Sequence, residues 1–257
     1  MIRVLKILLI IPVLYIIAMP AYLSYKTSNV PCGGVVISIR DSSDYKFVTK
    51  RELLNLVYVS GKKISGKPVK DLPIDEIESK LAEVRDLRFA EAYTTVDGML
   101  HVDTDQRNPV MRVIPESGGD FYIDEDGIVF RRKGLYSPRL QIVVGNINIT
   151  SRMLKGESVL DSASTSVLKD IFYLVGYINK DSFWTAQIDQ ISVDNDREID
   201  MIPRVGNQIV HLGTTDNYEQ KFRNLEAFYK DVLPEVGWRK YQTINLEYKD
   251  QIVCKSR

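Results

Sequence analysis

PIDEIESKLAEVRDLRFAEAYTTVDGMLHVDT, residues 73–104, switches from a helical to an alternating pattern within one short span. Pro73 opens it, Asp75 and Glu76 suit a first helical turn, and Ile77, Leu81 and Val84 recur at i, i+4 and i+7. Two extended runs follow, 89–96 and 99–104, joined by Asp97-Gly98, the dipeptide that favours a two-residue type I′ turn. Upstream, Val35, Ile37 and Ile39 alternate as in a strand. Thr49 and Glu52 stand at capping-box spacing before Leu53, Leu54, Leu56 and Val57, and Gly61 and Gly66 close that helix. The order is strand, helix, helix, strand, strand. It predicts an α+β module of about seventy residues, with two helices on one face of a three-stranded sheet.

Beyond Asn108-Pro109 the pattern turns β-rich. Residues 110–114 read as a strand, and 121–123 and 128–130 flank Asp124-Glu125-Asp126-Gly127 as a hairpin. The acidic tip lacks the ligand spacing and sixth-position glycine of an EF-hand loop, so it reads as a plain turn. A strand at 141–144 precedes a helix within 162–179 carrying Val167, Ile171, Leu174, Val175 and Ile178 on one face. Antiparallel strands are expected around Ala186, Ile188, Ile191 and Val193, then Ile199 and Met201, then 209–212. A helix at 218–232 with Phe222, Leu225, Phe228, Tyr229 and Val232 inside leads to two last strands, 243–248 and 251–254. Only Lys255, Ser256 and Arg257 follow, so the last strand is expected at an exposed sheet edge with unpaired N–H and C=O groups.

The N-terminus carries an uncharged run, residues 7–25, with Ile7, Leu8, Leu9, Leu14, Ile17 and Leu23 among its apolar members. At ~1.5 Å per residue it reaches roughly the ~30 Å of bilayer hydrocarbon, which predicts one transmembrane helix. Arg3 and Lys6 precede it and place the tail inside and the bulk outside. A cleaved signal peptide is the rival, supported by Ala18 and Ala21. The run exceeds the usual signal core, however, and bulky Tyr22, Leu23 and Tyr25 follow. The expected organisation is a tail at 1–6, an anchor at 7–25, a linker at 26–31, the small module at 32–106 and the β-rich domain at 107–257.

Composition narrows the function. Thirty-four Lys and Arg balance thirty-four Asp and Glu, so no basic field draws the chain to nucleic acid. Cys32 and Cys254 lie near opposite ends, their pairing open, and their spacing is unlike a zinc site. His101 and His211 fall in predicted strands and read as ordinary strand residues. Gly118-Gly119 lacks the lysine and helix of a phosphate loop, and Trp184 after Phe183 reads as core rather than a stacking platform. No catalytic set stands out, and neither an enzyme nor a cofactor is expected.

The βααββ order, with the passage from Ile77 through Gly98 to Val102, resembles a POTRA domain. The whole plan resembles the bitopic cell-division family FtsQ, called DivIB in other bacteria. The resemblance is carried by FYIDEDGIVF at 121–130, LQIVVGNI at 140–147, FWTAQIDQI at 183–191, IPRVGNQIVHLG at 202–213 and INLEYKDQIVCK at 244–255. It implies a scaffold in the inner membrane at the septum, with its bulk in the periplasm. Such a scaffold binds FtsB-like and FtsL-like division proteins and regulates septal peptidoglycan synthesis. It further implies that Tyr248 and the edge formed by Gln251, Ile252, Val253 and Cys254 face the partner, and that Arg197, beside Asp196, pairs with an acidic partner residue. A POTRA-type transport accessory is the alternative, though no membrane β-barrel pattern accompanies it. A cell-wall hydrolase is a third.

Overall fold

The computed structural model describes residues 15, 16, 18–20, 29–40, 47–59, 64–131, 138–161, 167–249 and 251–257. The chain divides into two units, Met1–Gln106 and Arg107–Arg257.

In the first unit, strands β1 (Gly34–Arg40), β2 (Leu87–Thr94) and β3 (Met99–Gln106) form a sheet in the order β1-β3-β2. β3 runs parallel to β1 and antiparallel to β2. Helices α1 (Lys50–Val59) and α2 (Ile74–Ala82) supply Leu53, Val57, Ile77 and Leu81 to a core shared with Ile37, Ala92, Leu100 and Val102. The capping box closes as the spacing predicts. The Glu52 amide donates to Thr49 Oγ1 at 3.2 Å, and the Thr49 amide donates to Glu52 Oε2 at 2.8 Å. Buried Gln106 accepts the amides of Phe47 and Val48 through Oε1, both at 2.9 Å.

The β2–β3 turn differs from the expected type I′ form. The Gly98 amide bonds Thr95 O at 2.9 Å, the Thr95 amide bonds Met99 O at 3.0 Å, and Gly98 has φ +84°. Only this glycine takes the left-handed position. Asp97 is not at positive φ and accepts the Thr95 hydroxyl, which makes a longer loop cheaper than placing two consecutive residues at positive φ.

The second unit is a nine-stranded mixed sheet ordered β12-β11-β10-β9-β8-β7-β4-β5-β6. Its strands are β4 (Pro109–Pro115), β5 (Phe121–Asp124), β6 (Val129–Phe130), β7 (Gln141–Gly145), β8 (Ile188–Val193), β9 (Ile199–Pro203), β10 (Ile209–Gly213), β11 (Tyr241–Asn245) and β12 (Val253–Ser256). β4/β7, β7/β8 and β10/β11 pair in parallel, and the other neighbours are antiparallel. Alternate residues of β4, such as Met111 and Val113, are buried while Arg112 and Ile114 are only half-buried. One face therefore carries the core.

Helix α3 (Val167–Lys180) buries Leu168, Ile171, Leu174, Val175 and Ile178, close to the stripe its periodicity predicts. Ala186, read as part of a strand, lies instead in α4 (Ser182–Gln187). Asp181 caps that helix, its Oδ1 accepting the Phe183 amide at 2.8 Å. The turn directs Trp184 into a cluster with Phe183 (4.9 Å between ring centroids), Phe222 (4.9 Å) and Tyr229 (5.9 Å). Trp184 is 2% exposed and serves the core. Burial pushes the Tyr229 phenol up to about 12, so it stays neutral there.

Helix α5 (Tyr218–Ala227) continues through a π-turn at Phe228–Val232 into α6 (Leu233–Val236). The wider turn moves the inward position to Leu233, leaving Phe228 and Val232 half-buried rather than inside. At the 124–127 tip, Asp124 is 2% exposed and accepts Arg107 Nη1 at 2.6 Å. Its other oxygen accepts the amides of Asp126 and Ile128 at 3.1 and 2.7 Å. Both carboxylate oxygens are committed to donors, as a structural turn requires and a calcium loop does not.

The six anchor residues Ile7, Leu8, Leu9, Leu14, Ile17 and Leu23 lie outside the described residues. Among the described residues no helix is long and apolar enough to cross a membrane.

Candidate functional site

β12 is an edge strand, hydrogen-bonded on one side to β11 with Ile244 opposite Cys254 and Asn245 opposite Val253. Two bonds fix which main-chain groups face outward. The Arg257 amide donates to Lys240 O at 3.2 Å, toward β11, so by alternation Lys255 and Val253 also point inward. The Leu246 amide donates to His211 O at 2.9 Å, on the β10 side, so Asn245 and Thr243 aim theirs at β12. Both lines leave the amide and carbonyl of Cys254 and Ser256 on the open edge.

The side chains of Ile252 and Cys254 pack against the core, while Val253 and Lys255 are exposed. Burial raises the Cys254 thiol above its ordinary pKa, and neither Cys254 nor Cys32 is in a disulfide. The expected final strands are displaced. Asn245 Oδ1 accepts the Glu247 amide at 2.8 Å, an Asx turn that ends β11 at Asn245 rather than at Tyr248. Tyr248 then sits in a bend, 55% exposed, and its carbonyl accepts the Gln251 amide at 3.3 Å. Gln251 and Ile252 precede β12, which runs two residues further than the sequence reading places it. Tyr248 also lines a groove of about 550 Å³ with Lys221, Arg223 and Asn224 of α5.

Arg197 occupies the β8–β9 turn. Asp194 Oδ1 accepts the amides of Asp196 (2.9 Å) and Glu198 (2.8 Å), and the turn closes through Arg197 with φ +67°. A left-handed conformation is costly for a side chain of this size, yet Arg197 is exposed and joins no ion pair among the described residues.

The turns bearing Arg197 and Tyr248 converge. Glu198 and Glu247, their chain neighbours, both approach His211 of β10: Nε2 lies 3.6 Å from Glu198 Oε2 and 3.3 Å from Glu247 Oε2. Asp200 of β9 lies 2.6 Å from His211 Nδ1. Burial lowers the imidazole pKa, but the Asp200 hydrogen bond and the charges of Asp200, Glu247 and Glu198 outweigh it and leave it raised. Sequence reasoning placed His211 in a strand and missed this cluster. The D-x-E-x-D run at 196–200, which sets Glu198 and Asp200 on either side of the first residue of β9, was the one local signal.

A βααββ unit followed by a one-sided mixed sheet with an open terminal strand defines a two-module protein of the POTRA-plus-β-domain class. Residues 30–105 match the POTRA-like domain, and residues 108–255 match the family described as FtsQ/DivIB, C-terminal related. The second match spans more than half of the chain, and the chain belongs to the FtsQ/DivIB family. Domains of these two kinds are non-enzymatic scaffolds, and the family's role is in cell division, exercised through protein–protein interactions. No curated protein matches the chain.

Proposed function

We propose that the protein is a single-pass inner-membrane scaffold of the division machinery. Residues 7–25 anchor it, and residues 26–257 lie on the outer side of that membrane, at the septum. It captures membrane-anchored FtsB-like and FtsL-like partners by strand addition to β12 and so helps regulate septal peptidoglycan synthesis. The observation that carries this reading is the open edge, where Cys254 and Ser256 present main-chain donors and acceptors with no partner strand among the described residues. Tyr248 flanks the edge as an exposed aromatic, and Arg197 is an available cation for an acidic partner residue. A membrane tether raises the effective concentration of partners that are themselves anchored nearby.

The test is a photo-crosslinking amino acid at Lys255 or Val253 of the full-length chain, expressed in dividing cells. Crosslinks to small coiled-coil division proteins, together with filamentation on depletion, are the expected result. Normal division after depletion refutes the role, and crosslinks confined to other proteins refute the edge.

A further inference from the structure

His211 is held in a way that an isolated strand histidine does not need. Asp200, when ionised, is an acceptor only, so its contact with Nδ1 at 2.6 Å places a proton on that nitrogen. Nε2 then faces two carboxylate oxygens at 3.3 and 3.6 Å. A charge-assisted N–H···O bond shortens to about 2.7–2.9 Å. The observed separations instead match the ~3.3 Å between neighbouring ligands of a tetrahedral cation bound at ~2.0–2.1 Å. Glu198, His211 and Glu247 each offer one ligand atom, all within 4.8 Å of one another.

Glu247 is aimed into the cluster by features outside it. Asn245 Nδ2 donates to Glu247 Oε2 at 3.1 Å. At Gly213, φ +70°, an added Cβ would lie 2.6 Å from Glu247 Cγ and 2.9 Å from Oε1. Glycine leaves the space the glutamate occupies, and no other residue type does so without displacing it.

We propose that Glu198, His211 and Glu247 form a binding site for a divalent cation of the zinc class, with Asp200 as a positioning residue and a fourth coordination position open. Imidazole with two carboxylates favours such a transition ion over magnesium or calcium, and the Asp200–imidazole pair is the usual support of a metal-binding histidine. The bound ion cross-links the β8–β9 turn, β10 and the segment after β11, and thereby fixes the Arg197 turn relative to the Tyr248 bend. The cation site stands by itself; only its effect on partner capture rests on the proposed function.

The test uses the untagged full-length chain in detergent, stripped with chelator and titrated with zinc by calorimetry, followed by zinc X-ray absorption. One equivalent per chain with a purely nitrogen and oxygen shell is expected, unchanged in a C32S/C254S double variant. Glu198→Gln and Glu247→Gln should each weaken binding at least about tenfold, and Asp200→Asn about 10–100-fold. Matching circular dichroism in chelator shows that the variants remain folded. Absence of stoichiometric binding, sulfur in the shell, or full affinity in either glutamine variant overturns the site. Partner capture is measured separately: its failure with zinc binding intact sinks the partner reading and leaves the site standing.

Discussion

Replacing Ser256 with proline isolates the open edge from the stability of the fold. The Ser256 amide points away from β11, because the Arg257 amide next to it donates inward to Lys240 O at 3.2 Å. Its side chain is exposed. Proline therefore removes a donor that no group within the sheet uses, and edge strands tolerate its φ. An added partner strand loses one net hydrogen bond, about 0.5–1.5 kcal/mol, and a desolvated carbonyl left unmatched costs about 1–3 kcal/mol more. The sum, roughly 1.5–4.5 kcal/mol, weakens capture by about one to three orders of magnitude. Lys255→Pro is the contrasting variant. Its amide faces β11, so proline there breaks the β11–β12 ladder and loosens the packing of Ile252 and Cys254. The assay is calorimetric titration of full-length chain in detergent with a coiled-coil partner, alongside urea denaturation. Ser256→Pro should keep the urea midpoint and lose affinity, whereas Lys255→Pro should lose both. A folded Ser256→Pro variant with undiminished affinity refutes strand addition at this edge.

Arg197→Gly should raise stability by about 0.5–1 kcal/mol, because glycine relieves the left-handed strain at φ +67° at some entropic expense, yet weaken partner capture. A fall in the urea midpoint would count against that account of the turn. Trp184→Ala opens the aromatic cluster and should destabilise the second unit by about 3–5 kcal/mol in chemical denaturation; a loss under 1 kcal/mol would show that the neighbouring rings repack. In chelator, the raised His211 pKa sets the sign of a pH effect. Asp200, Glu198 and Glu247 face the ring, with Lys221 of α5 interacting with Glu247. Stability from the protonated ring is fully present below about pH 6.5, the unfolded value, and is lost as pH rises through the higher folded value. His211→Gln should flatten that dependence. Added zinc should reverse it, since the metal takes the neutral imidazole.

How much of this was legible in the sequence depended on the range of the interaction that decides each feature. The Thr49–Glu52 capping box and the Ile77–Leu81 stripe are set by contacts three or four residues apart, and both form as read. The β2–β3 hairpin was also visible at Asp97-Gly98, although its loop length was not. That length depended on the Thr95 side chain bonding Asp97, a competitor to the two-residue turn. At 182–187 apolar residues were ambiguous between strand and helix, and the Asp181 cap settled them as a helix. Tyr248 seemed to continue a strand because Ile244, Leu246 and Tyr248 alternate, but the Asn245 side chain captures the Glu247 amide and turns the chain out first.

The edge and the cation cluster illustrate opposite limits of such reading. The expected edge is met among the described residues, where β12 ends the sheet with β11 as its hydrogen-bonded neighbour. The cluster follows from register between strands that are distant in sequence. β10 and β11 pair in parallel, through a crossover made by α5 and α6, with His211 opposite Asn245. That register carries Glu247, two positions later, over the ring of His211, while antiparallel β9 brings Asp200 directly opposite. The D-x-E-x-D run hints at two of the cluster's members, but no spacing in the linear chain encodes their meeting with His211 and Glu247. Gly213 marks it only in retrospect, because the missing Cβ becomes informative once the glutamate it accommodates is known. The same register puts Arg197, just before Glu198, and Tyr248, just after Glu247, at adjoining turns. Whatever fixes those carboxylates therefore also sets the spacing of these two side chains.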